Sequence, residues 1–555
     1  MSQSQYLKLR QKHCRSCHKC IRHCPLKAIR FSGGHARIVA DDCIWCGLCY
    51  NACPQTTKEI FSERAAVEEM LSSGVPVVAS LAPSFAAQYG GATIGDVEAA
   101  LQQLGFASAE ETAVGAKRVC EAYNQLLDEG QDIVISSSCP SVNLMIQKYY
   151  PEALPYLAPV LSPMQTHALD IKERVEGAKV VFIGPCIAKK DEAHRYPGYA
   201  DAVLTFNQLG DWLEEKGVEI KNSGMGGQHS STAIFPVTRG IIRAMGEKKP
   251  GYTYIAVDGV KECMAALAEI QKGTMHKCFI EMSACESGCI GGPGRTKTTL
   301  MDVSLVEQNV DKSYDFPVTY KGSMKKEFKP LPRKREYPSE EMMKEIMARM
   351  GKTTKEDELN CGGCGYSTCR DKAIAIYRGK ADISMCLPYL KEKAETFSDT
   401  IINNTPNGIV VLNHQLEIQQ INRSAMKMLG VEHRIDVMGE PVSHLMDPEI
   451  FSIPLEQKQR ISTHELCLED KNAYFEITTI LDAAYSIIIG VIRDITKETL
   501  SRQRKEAITT QTVEIADKVV GKQMRIVQEI ASLLGETAAE TKIALTKLKE
   551  SIADE

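Results

Sequence analysis

Four cysteines, Cys139, Cys186, Cys285 and Cys289, each sit in a loop of small residues. Cys139 closes a run of three serines and precedes Pro140; Cys186 follows Gly184 and Pro185; Cys289 runs into Gly291 and Gly292. Four thiolates can hold one cubane iron–sulfur cluster. Glycine, with no side chain, lets backbone approach an inorganic ligand closely. The chemistry this set points to is redox chemistry at iron.

Further cysteines repeat that theme. Cys14, Cys17, Cys20 and Cys24 are spaced C-x2-C-x2-C-x3-C-P, and Cys43, Cys46, Cys49 and Cys53 repeat it. This resembles the bacterial two-cluster ferredoxin pattern, in which the fourth cysteine of each run ligates the other cluster. One cluster then takes Cys14, Cys17, Cys20 and Cys53, and the other takes Cys43, Cys46, Cys49 and Cys24. C-x2-C pairs also bind zinc, but two evenly spaced runs, each followed by proline, favour clusters. Arg15, Lys19, Arg22, Lys27 and Arg30 interleave the first run; they are a docking face for an acidic carrier such as ferredoxin, or a plain solvated surface. Cys361, Cys364, Cys369 and Cys386 form another set, which resembles the small four-iron domain of corrinoid iron–sulfur proteins. Of the twenty cysteines, this leaves Cys120, Cys263, Cys278 and Cys467, which read as buried, inert thiols.

Elements must position these loops. Residues 76–81, 132–135 and 179–183 are short apolar runs that read as strands. The last two feed straight into cysteine loops, as the carboxyl ends of strands do in an α/β sheet. The chain has 555 residues, enough for three or four domains, and a formal charge of −5, so no general attraction to nucleic acid or a membrane surface is implied. No run reaches the apolar length of a membrane span. The start, Met1 to Ser4, is polar, and the expected location is cytoplasmic.

The three central loops, in this order, resemble the active-site signatures of [FeFe]-hydrogenases. Pro83 and Ser84, and the stretch from Leu161 to Gln165, match the same pattern. The resemblance implies a six-iron H-cluster, with a cubane on Cys139, Cys186, Cys285 and Cys289. Cys289 would bridge to a diiron unit carrying carbonyl, cyanide and dithiolate ligands. It also implies that Lys189 faces a cyanide, since an ammonium offers three donors and no acceptor, and that Glu192 holds the loop. Pro83, Ser84, Gln165, Lys189, Gly184 and Ser283 are the residues expected around the cofactor. Three departures from the pattern bear on mechanism. Ser138 stands where the family has a proton-relaying cysteine, and a hydroxyl gives up a proton far less readily than a thiol. Ala158 stands where the relay has a serine. Gly184 and Ser283 stand where methionine thioethers pack beside the cluster. The expectation is a site that senses H2 or reacts with it slowly; the alternatives are a metabolic ferredoxin-linked [FeFe]-hydrogenase and an iron–sulfur electron-transfer scaffold without the diiron unit.

Residues 396–498 contain a turn and strand near Gly408, a helix after Asn422 and a β-rich strand closing on Arg493-Asp494-Ile495-Thr496. This order resembles a PAS domain, in which His464 and Cys467 read as structural. In the tail, Val513, Ala516, Val520, Gln523, Val527, Ile530 and Leu534 follow coiled-coil spacing. A helix packed on its own PAS domain is the alternative. Gly535 is expected to break the helix before a second amphipathic stretch through Ile543, Leu545, Leu548 and Ile552.

The expected architecture is multidomain α/β and α+β. It comprises a two-cluster ferredoxin domain (1–60), an α/β [FeFe]-hydrogenase domain (61–320), a linker (321–340), a four-iron domain (341–395), the PAS domain (396–498) and a helical segment (499–555). No output motif is present, so a downstream kinase or phosphatase and a homodimer through the PAS domain and helix are the expected partners, beside H2 and protons.

Overall fold

The computed structural model describes residues 6–10, 14–223, 230–296, 300–311, 317–331, 333, 336–452, 461–468, 473–482 and 485–553. The polar start and Pro332 and Lys334 of the expected linker lie outside these residues. The chain forms two compact units, Met1–Leu390 and Lys391–Glu555.

In the first unit, the ferredoxin region is closed by the antiparallel pair Leu7–Leu9 and Lys58–Ile60, with the hairpin Ile29–Ser32 and His35–Ile38 between its two cysteine runs. The centre holds two parallel sheets where the sequence suggested one. Four strands run in the order Ser108–Glu111, Val77–Leu81, Lys179–Gly184, Ala202–Thr205, and three in the order Thr253–Asp258, Cys278–Ser283, Ile133–Ile135. Val77–Leu81 is buried throughout, as expected of a parallel strand covered on both faces. The loop of Cys186 leaves the first sheet, and those of Cys139 and Cys285 leave the second. Carboxyl-terminal strand ends from both sheets therefore supply the site.

Residues 321–331, expected as linker, are a packed strap. Lys325 bridges to Val160, Lys326 N–H donates to the Pro159 carbonyl and Leu331 N–H to that of Gln147. The Lys326 side chain is buried, something Pro and Lys punctuation does not reveal.

The second unit contains an antiparallel sheet in the order Ile418–Ile421, Gly408–Asn413, Ile487–Asp494, Ala473–Asp482, Ile461–Leu468. Asn422 is fully buried and starts the helix Arg423–Leu429 by accepting from Ala425 N–H at 2.9 Å. Its amide also donates to the carbonyls of Ile402 and Asn407. Cys467 is exposed rather than buried, whereas Cys120, Cys263 and Cys278 are buried as expected. The last helix, Thr496–Ala553, runs through Gly535 without a break. A mid-helix glycine costs only about 1 kcal/mol, and Glu536, Ala538, Ala539 and Glu540 behind it are good helix formers.

Candidate iron–sulfur and proton-transfer site

Cys139, Cys186, Cys285 and Cys289 line one cavity of about 110 Å³, together with Pro83, Ser84, Ser138, Lys189 and Ser283. Burial and the neighbouring thiols push Cys186 up to about 11 and Cys289 up to about 12. Four converging thiols in so poorly solvated a place ionise together only against cationic metal. Among the described residues no three ligand side chains close on a single ion; the thiols ring a cavity, as a polynuclear cluster needs. The Ser84 hydroxyl, buried in the same wall, has no hydrogen-bond partner in the protein. The donor set and this orphan polar atom fit an inorganic cofactor with acceptor ligands.

The other cysteines group as their spacing suggested. Cys14, Cys17, Cys20 and Cys53 line one cavity, Cys24, Cys43, Cys46 and Cys49 a second, and Cys361, Cys364, Cys369 and Cys386 a third. Cys46 also lines the central cavity, so that second set abuts the central one. Of the basic residues around the first cysteines, Arg22 and Lys27 reach the loop of the third set. Arg22 Nη1 donates to the Gly363 carbonyl at 3.0 Å, and Lys27 Nζ to that of Gly365 at 2.7 Å. A Cβ on Gly365 would meet Ile21 at 2.9 Å, so the loop carrying Cys364 presses against the helix Lys19–Arg22, between Cys20 of one set and Cys24 of the other. Cys386→Ser should therefore remove one four-iron signal from the electron paramagnetic resonance spectrum of the reduced holoprotein and leave the others; loss of every signal would contradict three separable sites.

Lys189 reaches the cavity from the helix Ala188–Arg195. Its Nζ donates to Glu192 Oε2 at 2.6 Å. Lys326 of the strap donates to Glu192 Oε1 at 2.6 Å and to Gln165 Oε1 at 2.7 Å, and its ammonium lies 4.4 Å from the Tyr196 ring centroid. Burial alone would raise the Glu192 carboxyl, but Lys189 and Lys326 outweigh it and hold it down near 2. Glu192 thus positions Lys189 and does not itself line the cavity.

Two expected cofactor contacts are not among the residues lining the cavity. The Gln165 carbonyl accepts from Ser162 N–H in the capping box that starts the helix Pro163–Arg174, and its buried amide nitrogen has no hydrogen-bond partner in the protein. Gly184 is also outside the lining, because the Phe182 ring occupies the space where its side chain would go, 2.8 Å from a Cβ. Two methionines, Met164 and Met282, line the cavity instead.

Ser138 hydrogen-bonds to Tyr123 at 3.0 Å. Tyr123 accepts from Ser137 N–H, and the Ser137 hydroxyl donates to the Val160 carbonyl at 3.0 Å. The chain of hydroxyls ends there, at a group that cannot pass a proton on. Burial lifts Tyr123 to about 12, against the lowering effect of its serine bonds. Ala158, fully buried, offers no polar side-chain atom. One acid was missed: Glu281 lines the cavity, and burial raises it to about 7 despite the bond it accepts from Ile242 N–H. A lone carboxylate in the otherwise apolar, buried strand Cys278–Ser283 is the signal that identifies it.

Comparison with known proteins agrees with this division. The C-terminal domain of the iron-only hydrogenase large subunit matches residues 75–293, a 4Fe-4S dicluster domain matches 6–54, an iron–sulfur cluster family matches 357–388 and the PAS fold matches 396–495. The chain is 27% identical over 276 residues to the periplasmic [Fe] hydrogenase large subunit of Nitratidesulfovibrio vulgaris, covering 39% of this chain and 66% of that one. It is 25% identical over 289 residues to iron hydrogenase 1 of Clostridium pasteurianum, covering 42% and 50%. It is 26% identical over 219 residues to the cytosolic Fe-S cluster assembly factor NAR1 of Encephalitozoon cuniculi, covering 34% and 58%. The chain thus spans about half to two thirds of the length of these relatives. No described helix is long and apolar enough to cross a membrane.

Proposed function

We propose that this hydrogenase-like iron–sulfur protein is a sensory [FeFe]-hydrogenase. It reacts slowly with H2 at a six-iron H-cluster and passes redox state through 4Fe–4S clusters to the PAS domain and terminal helix. One observation carries the reading. The cavity keeps all four cubane thiols and Lys189, while the hydroxyl chain behind Ser138 stops at the Val160 carbonyl. The site is equipped to bind but poorly equipped to turn over.

When bound, the diiron unit would supply the metal at which H2 is split. Cys289 would join it to the cubane, and Lys189, held by Glu192, would donate to a cyanide ligand. Glu281 can take or release a proton near neutral pH. Cys46 offers the electrons a neighbouring cluster. Cys386 directly precedes the helix Leu387–Asn404, which leads in sequence to the PAS strands. In matured protein under H2, without other reductant, resonance signals of reduced 4Fe–4S clusters are expected. Protein matured without the diiron unit should stay silent; equal reduction of both would defeat the reading.

A cluster-bearing scaffold without the diiron unit is the second reading, favoured by the likeness to the assembly factor. Against it stands Lys189, a buried lysine that lines the cavity beside the four thiols.

The output is proposed to pass from a cytoplasmic homodimer to a kinase or phosphatase. The terminal helix is exposed from Ser501 to Lys549; near its start Gln503 bonds the Tyr474 hydroxyl of the PAS sheet at 3.3 Å, and the apolar residues further along are left uncovered. Val513, Val520, Val527, Ile530 and Leu534 are at least half exposed along one seam, an arrangement a second copy would bury. Val520→Glu with Val527→Glu should convert a dimer to a monomer in light scattering; a monomeric parent would refute the pairing.

A further inference from the structure

The closed network behind Ser138 leaves open how protons leave the cavity. A second chain of hydrogen-bonding side chains starts at its wall. Thr112, which lines the cavity, lies 2.8 Å from Ser80, hydroxyl to hydroxyl. Ser80 Oγ lies 2.8 Å from His167 Nδ1. His167 Nε2 lies 3.2 Å from Glu110 Oε2. Ser80 and His167 are fully buried, and the Glu110 side chain is 25% exposed. Every link is within hydrogen-bond reach, and the chain spans the interior from cavity to solvent.

Three elements build it. Ser80 is on the strand Val77–Leu81, Thr112 directly precedes the helix Ala113–Asp128, and His167 is on the helix Pro163–Arg174. The two helices touch at Gly115, where a Cβ would lie 2.6 Å from His167 N. The charged groups facing the outer end are Glu110, Arg174 and Asp170. Arg174 donates to Glu110 Oε2 at 2.5 Å and to Asp170 Oδ2 at 2.9 Å.

We infer that Thr112, Ser80, His167 and Glu110 form a proton exit for the H2 reaction, standing in for the relay that Ser138 and Ala158 no longer supply. The inference rests on the hydrogenase reading.

The chain has a direction. The Glu110 carboxylate accepts only, so a neutral His167 carries its proton on Nε2 and accepts from Ser80 at Nδ1. Ser80 in turn accepts from Thr112. A proton arriving at Thr112 Oγ1 sends the threonine proton to Ser80, the serine proton to His167 Nδ1 and the Nε2 proton by way of Glu110 to water; against burial, His167 and Arg174 hold that carboxyl near 2, so it keeps the proton only in passing. One proton enters and one leaves, and the electrons of H2 depart separately to the clusters. The chain is therefore set for export, the direction H2 oxidation requires. Before the next proton, both hydroxyls must rotate and the imidazole must regain its Nε2–H form.

Thr112→Val keeps the shape and removes the hydroxyl; Thr112→Ser keeps the hydroxyl. Both are to be made in the matured holoprotein, with Ser80→Ala as an independent break. The readout is the rate at which H2 shifts the infrared bands of the cofactor's carbonyl and cyanide ligands, in H2O and in D2O. Thr112→Val and Ser80→Ala should slow the shift about 10²-fold, the scale of general acid–base help. The solvent isotope effect should change with them, and Thr112→Ser should stay close to the parent. Parent-like rates in both hydroxyl-deleted proteins would overturn the exit. So would equal slowing by Thr112→Ser, which marks a packing role. Parent protein without shifting bands would overturn the hydrogenase reading itself.

Discussion

Ser138→Cys protein, matured to the same diiron content as its parent, is expected to turn over H2 about 10²- to 10⁴-fold faster. The gain comes from acidity. A thiol of ordinary pKa near 8.5 exchanges protons at neutral pH, and a serine hydroxyl does so far less readily. The new thiol would lie beside Tyr123, 3.0 Å from the present hydroxyl. Adding Ala158→Ser should raise the rate further, since a buried position without a polar atom gains one. Hydrogen evolution with reduced viologen, normalised to infrared band intensity, checks this. Unchanged turnover at full band intensity would show that the hydroxyl was never limiting.

The largest stability effect is expected at Glu192. Replacing it with alanine leaves Lys189 and Lys326 buried beside one another with no counter-charge. Breaking a buried ion pair from one side typically costs about 3–5 kcal/mol. The first unit should melt well below the parent, and what folds should bind cofactor poorly because Lys189 has lost its anchor. Lys326→Met removes one cation and should cost less, since Lys189 still neutralises the carboxylate. A pH dependence goes with this. The folded state holds Glu192 near 2 against an ordinary 4.5, so its protons bind more readily to the unfolded chain. The stabilisation is complete above about pH 5 and fades as pH falls from there toward 2. Thermal melts of parent and Glu192→Gln across that range should converge at the acid end. A constant gap would place the stabilisation elsewhere.

The ligand sets were legible because their chemistry imposes spacing. The ferredoxin runs fall into two cavities with the crossed cysteine, Cys53 with the first set and Cys24 with the second. Strands around residues 77, 133 and 179 were legible because buried parallel strands are apolar throughout. Their division between two sheets was not, since pairing is a long-range choice that leaves no local pattern. Lys326 was hidden because a lysine in a Pro- and Lys-rich stretch looks solvated until its partner, 134 residues away in sequence, is known. Thr112, Ser80 and His167 were hidden for the same reason; only the fold brings a strand and two helices together there. Gln165 was recognised as part of a motif and then found to serve a helix cap and a strap lysine. Gly535 misled because a local propensity was weighed without the residues that follow it.

Infrared spectroscopy of anaerobically matured protein, cycled between H2 and argon and paired with hydrogen-evolution rates, tests the central claim most directly. Slow H2 chemistry at a complete H-cluster requires carbonyl and cyanide bands that shift reversibly with H2, alongside low turnover that Ser138→Cys raises. Fast turnover in the parent would make the protein a metabolic hydrogenase. No bands after competent maturation would contradict the account and leave an iron–sulfur scaffold.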